Sequence, residues 1–226
     1  MDRNIPERWR ATVREGVLEW NKAFERAGFR NALVVEQQNA DADWFTTEGT
    51  RLLAVRWFAM EGPGATAVGP SQADPRSGEI LRAAAIIPDN WVRFDRSVVD
   101  DTLPPGTQAG GSGGPVDAAS CSYAADALEQ IHFGLALLIE RGEMQPGSAE
   151  ALGYVAGGLK AVVVHEVGHA LGLRHNFKAS TGVRIAQLRD AAFTAANGIS
   201  NSVMDYNPPN MPLQGEAASN YHMPGL

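Results

Sequence analysis

Three of the chain's five histidines fall within eleven residues, His165-Glu166-Val167-Gly168-His169-Ala170-Leu171-Gly172-Leu173-Arg174-His175. The spacing is H-E-x-x-H-x-x-G-x-x-H. Histidines four apart share one face of a helix, so both imidazoles can reach one ion. Gly172 stands where that helix should stop, because a residue without Cβ can take φ > 0 and turn the chain back. His175 can then close the site as third ligand. Three neutral nitrogen ligands leave a tetrahedral zinc with one open position, the arrangement of a catalytic rather than a structural site. Glu166 lies about 100° round the helix from His165, placed to take a proton from water instead of ligating the metal. The five fixed positions would arise by chance in roughly one chain in 10⁵, judged from composition, whereas a bare H-E-x-x-H would be far weaker. The run Leu159 to Val164 before the motif suits a buried helix.

Some thirty residues on, Ser202-Val203-Met204-Asp205-Tyr206 resembles the Met-turn of the metzincin zinc metalloproteases, which pairs with the long zinc motif. The resemblance implies that Met204 packs beneath the zinc-binding histidines without ligating. A tyrosine two residues after the methionine occurs in the astacins and serralysins, and Tyr206 matches it. It implies a phenol that ligates the resting zinc and swings out to hydrogen-bond a developing oxyanion. Asn176, after the third histidine, departs from the Glu of astacins, Pro of serralysins, Ser of matrixins and Asp of adamalysins. His175-Asn176-Phe177-Lys178-Ala179-Ser180 is similar instead to a group of large bacterial zinc-dependent metalloproteases, as are Trp20 to Glu25, Asp74 to Ile80 and Met204 to Pro208.

That resemblance implies an α/β (α+β) fold: a twisted mixed sheet with long helices in an upper lobe (about 1–175), a small irregular lower lobe (about 176–226), and a zinc cleft between them. The whole chain, 1–226, reads as one catalytic domain. It implies peptide-bond hydrolysis by a metal-activated water, with one catalytic Zn²⁺ on His165, His169 and His175, Glu166 as general base, and Tyr206 at the oxyanion. Two other readings stay open: a latent or inactive zinc-containing binding module, and a zinc amidase acting on a non-protein substrate.

The elements that must position these groups follow from periodicity. Residues 6 to 27 read as a helix with Pro6 in its first turn, Trp9, Val13, Val17, Trp20 and Phe24 on one buried face, and Gly28 as its stop. Ala32 to Val35 and Leu52 to Phe58 read as strands. Glu61 to Ser77 is a Gly/Pro-rich loop with a turn at Asp74-Pro75, followed by a strand from Gly78 to Ile87. The family resemblance nominates that strand as the cleft edge along which an extended polypeptide substrate binds, the physics being β-augmentation; an interior strand is the alternative. Residues 104 to 115 read as a loop, and Ala124 to Arg141 as a helix with Leu128, Ile131, Leu135 and Leu138 inward and a structural His132. The motif helix runs from about 151 to 171, weakened by Gly153, Gly157 and Gly158. A short helix is expected at Arg184 to Ala196.

Length and composition exclude other classes. The net charge of −7, from 19 basic and 26 acidic side chains, argues against a nucleic-acid surface. Apolar runs are too short to span a membrane. The start, Met1 to Pro6, lacks the features of a signal peptide, while such proteases work outside the cytoplasm, so the resemblance implies an excised extracytoplasmic (secreted or periplasmic) domain cut at both ends, with a first strand expected before Ile5; a genuine cytosolic protein is the alternative. The single cysteine, Cys121, rules out an internal disulfide. Some metzincins are silenced by a propeptide thiol on the zinc; Cys121, in a loop-like stretch within the domain, reads instead as inert. Asp100, Asp101 and other loop carboxylates are the calcium candidates, but no spacing resembles an EF-hand loop, so a solvated turn is the better reading.

Overall fold

A computed structural model describes residues 1–39, 52–58, 69–89, 121–216 and 219–225. The elements are α1 (Glu7–Arg26), β1 (Leu52–Phe58), β2 (Ser71–Ala73), β3 (Ile80–Pro88), α2 (Tyr123–Glu140) and α3 (Ala149–Ala170), then a 3₁₀ turn (Ala179–Gly182) and the short helices α4 (Ile185–Leu188) and α5 (Ala191–Asn197). The described residues form an α+β fold, helices set against a small mixed three-stranded sheet, an architecture consistent with a metzincin-like one. The expected loop at 104–115 and the candidate acids Asp100 and Asp101 lie outside the described residues. None of the described helices is long and apolar enough to cross a membrane.

Helix α3 is the centre. It is buried on almost every side, from Ala151 and Tyr154 through Val162, Val163 and Val164 to Val167 and Ala170, because α1, α2 and β3 all pack on it. A helix apolar all round is stable only when enclosed in this way. Ser148 caps its start, Oγ accepting from the Ala151 amide at 3.2 Å. Two of the three glycines expected to weaken its first half, Gly157 and Gly158, instead admit neighbours. A Cβ at Gly157 would lie 3.0 Å from the His222 ring, and one at Gly158 would collide with Ile131 of α2. Close packing therefore offsets the propensity cost, and the helix runs unbroken for 22 residues.

Helix α1 buries Trp9, Val13, Val17 and Trp20 on its inward face. Gly16 sits at its crossing with α3, where a Cβ would come within 2.7 Å of Val163 Cγ1 and 2.9 Å of Val163 Cβ. The segment 32–35 is not a strand. Its backbone is taken up by α1 side chains: Asn21 receives the Leu33 amide and donates to the Leu33 carbonyl (2.8 and 2.9 Å), and Arg14 donates to the Val35 carbonyl at 2.8 Å.

The sheet order is β1-β3-β2, β3 running parallel to β1 and antiparallel to β2. This corrects the nomination of Gly78–Ile87 as the cleft edge: β3 is the middle strand. The Asp74-Pro75 turn folds β2 back along it, Gly78 closing the turn at φ +76° with its amide 2.7 Å from the Asp74 carbonyl. Among the described residues the antiparallel edge is thus β2. The helix expected over 184–196 is broken in two at Asp190, whose carboxylate caps α5 by accepting from the Ala192 and Phe193 amides at 2.9 and 3.0 Å.

The glycines separate two opposite effects of one added methyl. Gly16→Ala should destabilise the protein by about 1–3 kcal/mol, since Val163 is β-branched and cannot swing away. Gly153→Ala, where no described atom lies within 4 Å, should stabilise it by about 0.5–1 kcal/mol through helix propensity. Urea unfolding of the two variants measures both signs.

Candidate metal centre

The last two turns of α3 carry His165, Glu166 and His169, and His165 and Glu166 have no exposed surface. The helix then ends as the spacing predicts. Gly172 takes φ +90°, its amide reaches the His169 carbonyl at 2.8 Å, and the Leu173 amide reaches the Gly168 carbonyl at 3.0 Å. This double bond pattern is a Schellman stop. It turns the chain so that His175 comes back to the helix, its Nε2 3.0 Å from His169 Nε2.

Two of the three imidazoles are aimed by carbonyls. His165 Nδ1 lies 2.7 Å from the Val203 carbonyl, and His169 Nδ1 lies 2.9 Å from the Leu173 carbonyl. A carbonyl can only accept, so each Nδ1 carries the proton and each Nε2 presents a lone pair inward. Burial pushes the His165 pKa down to about 3 and lowers that of His175 as well. These are neutral, inward-facing nitrogens, the state in which histidine ligates. The ligand atoms of Cys121, His165, His169 and His175 all lie within 4.8 Å of one another. Tetrahedral zinc with Zn–N bonds near 2.0–2.1 Å needs nitrogens separated by roughly 3.3 Å, so the donors present fit the metal.

The Met-turn holds this arrangement from the side. Val203 supplies the carbonyl on His165. Met204 is buried against Gly168, where a Cβ would run into its sulfur. The Met204 carbonyl accepts from the Asn176 amide at 2.9 Å, tying the turn to the residue after His175. Asp205, also buried, accepts from the Ser180 amide at 2.8 Å and the Tyr206 amide at 2.9 Å. Trp20 of α1 closes the far side, its indole donating to the Val164 carbonyl at 3.0 Å. Its reading as core packing was right as far as it went; the hydrogen bond was not readable from the stripe.

Tyr206 is at the centre, with its ring 4.8 Å from that of His175 and edge-on to it. Its hydroxyl accepts from the Ser122 amide at 3.1 Å and donates to Cys121 Sγ at 3.4 Å. Burial, followed by the Cys121 contact, pushes its pKa up to about 12.

Glu166 Oε2 is buried with no hydrogen-bond partner among the described residues. Desolvation pushes this carboxyl up to about 8. A buried acid with an unsatisfied oxygen beside converging metal ligands is a group held ready to exchange a proton.

Cys121 corrects the sequence reading. Read from the sequence as an inert thiol in a loop-like stretch, it lies among the candidate ligands. Sγ lies 3.5 Å from His165 Nε2 and 3.5 Å from Glu166 Oε1. Its pKa is pushed up to about 12 by burial and then by the neighbouring Glu166. The signal for this lay in which helix packs on α3, not in local spacing.

A family model described as Met-zincin matches residues 149–225, which hold all three histidines, Glu166 and the Met-turn. The match supports a metzincin-clan zinc metalloprotease domain. No curated protein and no solved structure matches the chain.

The raised Glu166 pKa makes a signed prediction for the metal-free protein. The folded state holds this proton up to about pH 8, whereas the unfolded chain releases it near 4.5. The stability it contributes is therefore fully present below 4.5 and lost as pH rises through 8. Relative to Glu166→Gln, which has no proton to lose, the wild type should weaken between these values by at most ~1.4 kcal/mol per pH unit. His165 and the N-terminal amine, lowered to about 3 and about 6, act with the opposite sign. They are present in both proteins and cancel in the difference, which denaturant titrations across pH would measure.

Proposed function

We propose, for a chain whose residues 149–225 match the Met-zincin family, that it is a zinc-dependent endopeptidase. The observation that carries this is the convergence of three imidazole nitrogens beside the buried, unpartnered carboxyl oxygen of Glu166. Zinc on His165, His169 and His175 would polarise a carbonyl and acidify water. Glu166 takes the proton from the attacking water and returns it to the leaving amine. A divalent charge beside this carboxyl brings its pKa back toward the neutral range in which a base works. Tyr206 donates its hydroxyl hydrogen to the developing oxyanion.

An extended polypeptide has a surface to follow. All three residues of β2 are exposed, and among the described residues β3 is its ladder partner. Just before it, Gly69 lies against α3, where a Cβ would come within 2.5 Å of the Glu166 carbonyl and of His169 Cβ. A peptide added to the outer edge of β2 runs by backbone hydrogen bonds toward the ligands. Beside Tyr206 a cavity of about 450 Å³ is lined by Tyr123, Asp126, Glu129, Gln130, Phe133 and Tyr206. Its two carboxylates favour a basic substrate side chain. As in other proteases of this kind, the setting is extracytoplasmic.

A quenched fluorescent peptide library, with zinc and with a chelator, tests the reading. Cleavage should stop with chelator and fall by about 10²–10⁴-fold in Glu166→Gln, which keeps its zinc. His169→Ala should lose zinc on dialysis. Cleavage by Glu166→Gln at the wild-type rate would remove the general base. Cleaved peptides should be enriched in Lys and Arg near the scissile bond, and Asp126→Asn with Glu129→Gln should erase that enrichment. A latent zinc-containing module is the second reading, and Cys121 favours it.

A further inference from the structure

We propose that Phe177 is the positioning residue of the third ligand, its ring aiming His175 where no carbonyl does so. The inference rests on the zinc reading above and deepens it. His165 and His169 each have a carbonyl on Nδ1, from Val203 and Leu173. Among the described residues His175 has no hydrogen-bond partner on that nitrogen, and its ring's one polar contact is Nε2 to His169 at 3.0 Å. Besides the other two ligand rings, it meets two aromatic side chains. Phe177 lies face to face with it, centroids 5.0 Å apart and planes 20° from parallel. Tyr206 stands edge-on to both, 4.8 Å from His175 and 5.0 Å from Phe177. The three rings form a closed triangle of stacked and edge-on contacts, the attractive arrangements for such rings.

Phe177 is held in place although it is 58% exposed. The Asn176 amide donates to the Met204 carbonyl at 2.9 Å, and the Asn176 carbonyl accepts from the Ala179 amide at 3.1 Å. The Ser180 amide donates to the buried Asp205 at 2.8 Å. The backbone on both sides of Phe177 is thus fastened to the turn that carries Tyr206. Backbone bonds, not burial, fix where the ring stands. A ring so exposed adds little to the core, so its removal takes away the stack and leaves the fold. An aromatic side chain also suits the electrostatics. An imidazole bonded to a dication is electron-poor, and the negative face of a benzene ring attracts positive charge within about 6 Å. The stack therefore strengthens when the site is loaded, a gain that a side chain without a π face lacks.

The test is metal binding by the full chain, comparing wild type with Phe177→Leu, Phe177→Tyr and Phe177→Trp. Zinc affinity, measured by competition with a chromophoric chelator, should fall about 10-fold in Phe177→Leu, the scale on which outer partners of a metal site act. Phe177→Tyr and Phe177→Trp keep the π face and should recover most of that loss. With cobalt in place of zinc, the visible d–d bands report the angles among the ligands. They should shift in Phe177→Leu and match the wild type in Phe177→Tyr. Urea unfolding of the metal-free proteins should coincide, which separates aiming of the ligand from loss of the fold. Wild-type affinity and spectrum in Phe177→Leu would overturn the inference, as would a loss that neither aromatic variant restores. A matching fall in metal-free stability would assign the loss to the fold and overturn it equally. Failure of the wild type to bind either metal would instead remove the three-histidine centre on which the inference rests.

Discussion

Three neutral imidazoles must be held with their lone pairs facing one point, and the rest of the structure answers that requirement. Unsupported rings would rotate away or protonate. Here each constraint comes from a different piece of chain: the Val203 carbonyl holds His165, the Leu173 carbonyl holds His169, and the Schellman turn at Gly172 delivers His175. The carbonyl that orients His169 belongs to the residue after the glycine that stops the helix. Terminating the helix and aiming a ligand are thus one event. The Met-turn in turn is locked by the buried Asp205, which receives amides from Ser180 and Tyr206.

Burial does the electrostatic work. Because α1, α2 and β3 enclose α3, His165 and Glu166 are shut off from solvent, and their charged forms are penalised. That one cause lowers the His165 pKa and raises that of Glu166. It leaves neutral nitrogens to bind a cation and a carboxyl whose proton affinity responds strongly to that cation. In the low dielectric of a closed core, a divalent ion's charge acts on Glu166 far more than it would at the surface.

Much of the centre was legible because it is encoded locally. The helix period places His165 and His169, and the left-handed preference of glycine places His175; neither depends on knowing the fold. Met204 and Tyr206 were legible only through resemblance, since Met-x-Tyr has no periodicity to read. Cys121 was not legible. It lies 44 residues before His165 and reaches the site only because α2 packs on α3, with Ile131 set against the bare face of Gly158. Strand identity failed for a related reason. Ser71-Gln72-Ala73 has no apolar alternation, so nothing in its composition marks an edge strand, whereas β3 carries the apolar run that catches the eye. Spatial strand order is a property of the turn at Asp74 to Gly78, not of the strand's own residues.

The way α2 enters the site also links its two occupants. Tyr206 is held by the Ser122 amide and by Cys121 Sγ, adjacent groups immediately before the first turn of α2. His165 and Glu166, by contrast, belong to the most enclosed helix in the protein, with no exposed surface of their own. The phenol is therefore fixed by the chain just outside α2, whereas His165 and Glu166 are fixed by α3, so the centre rests on two elements whose packing against each other sets its geometry.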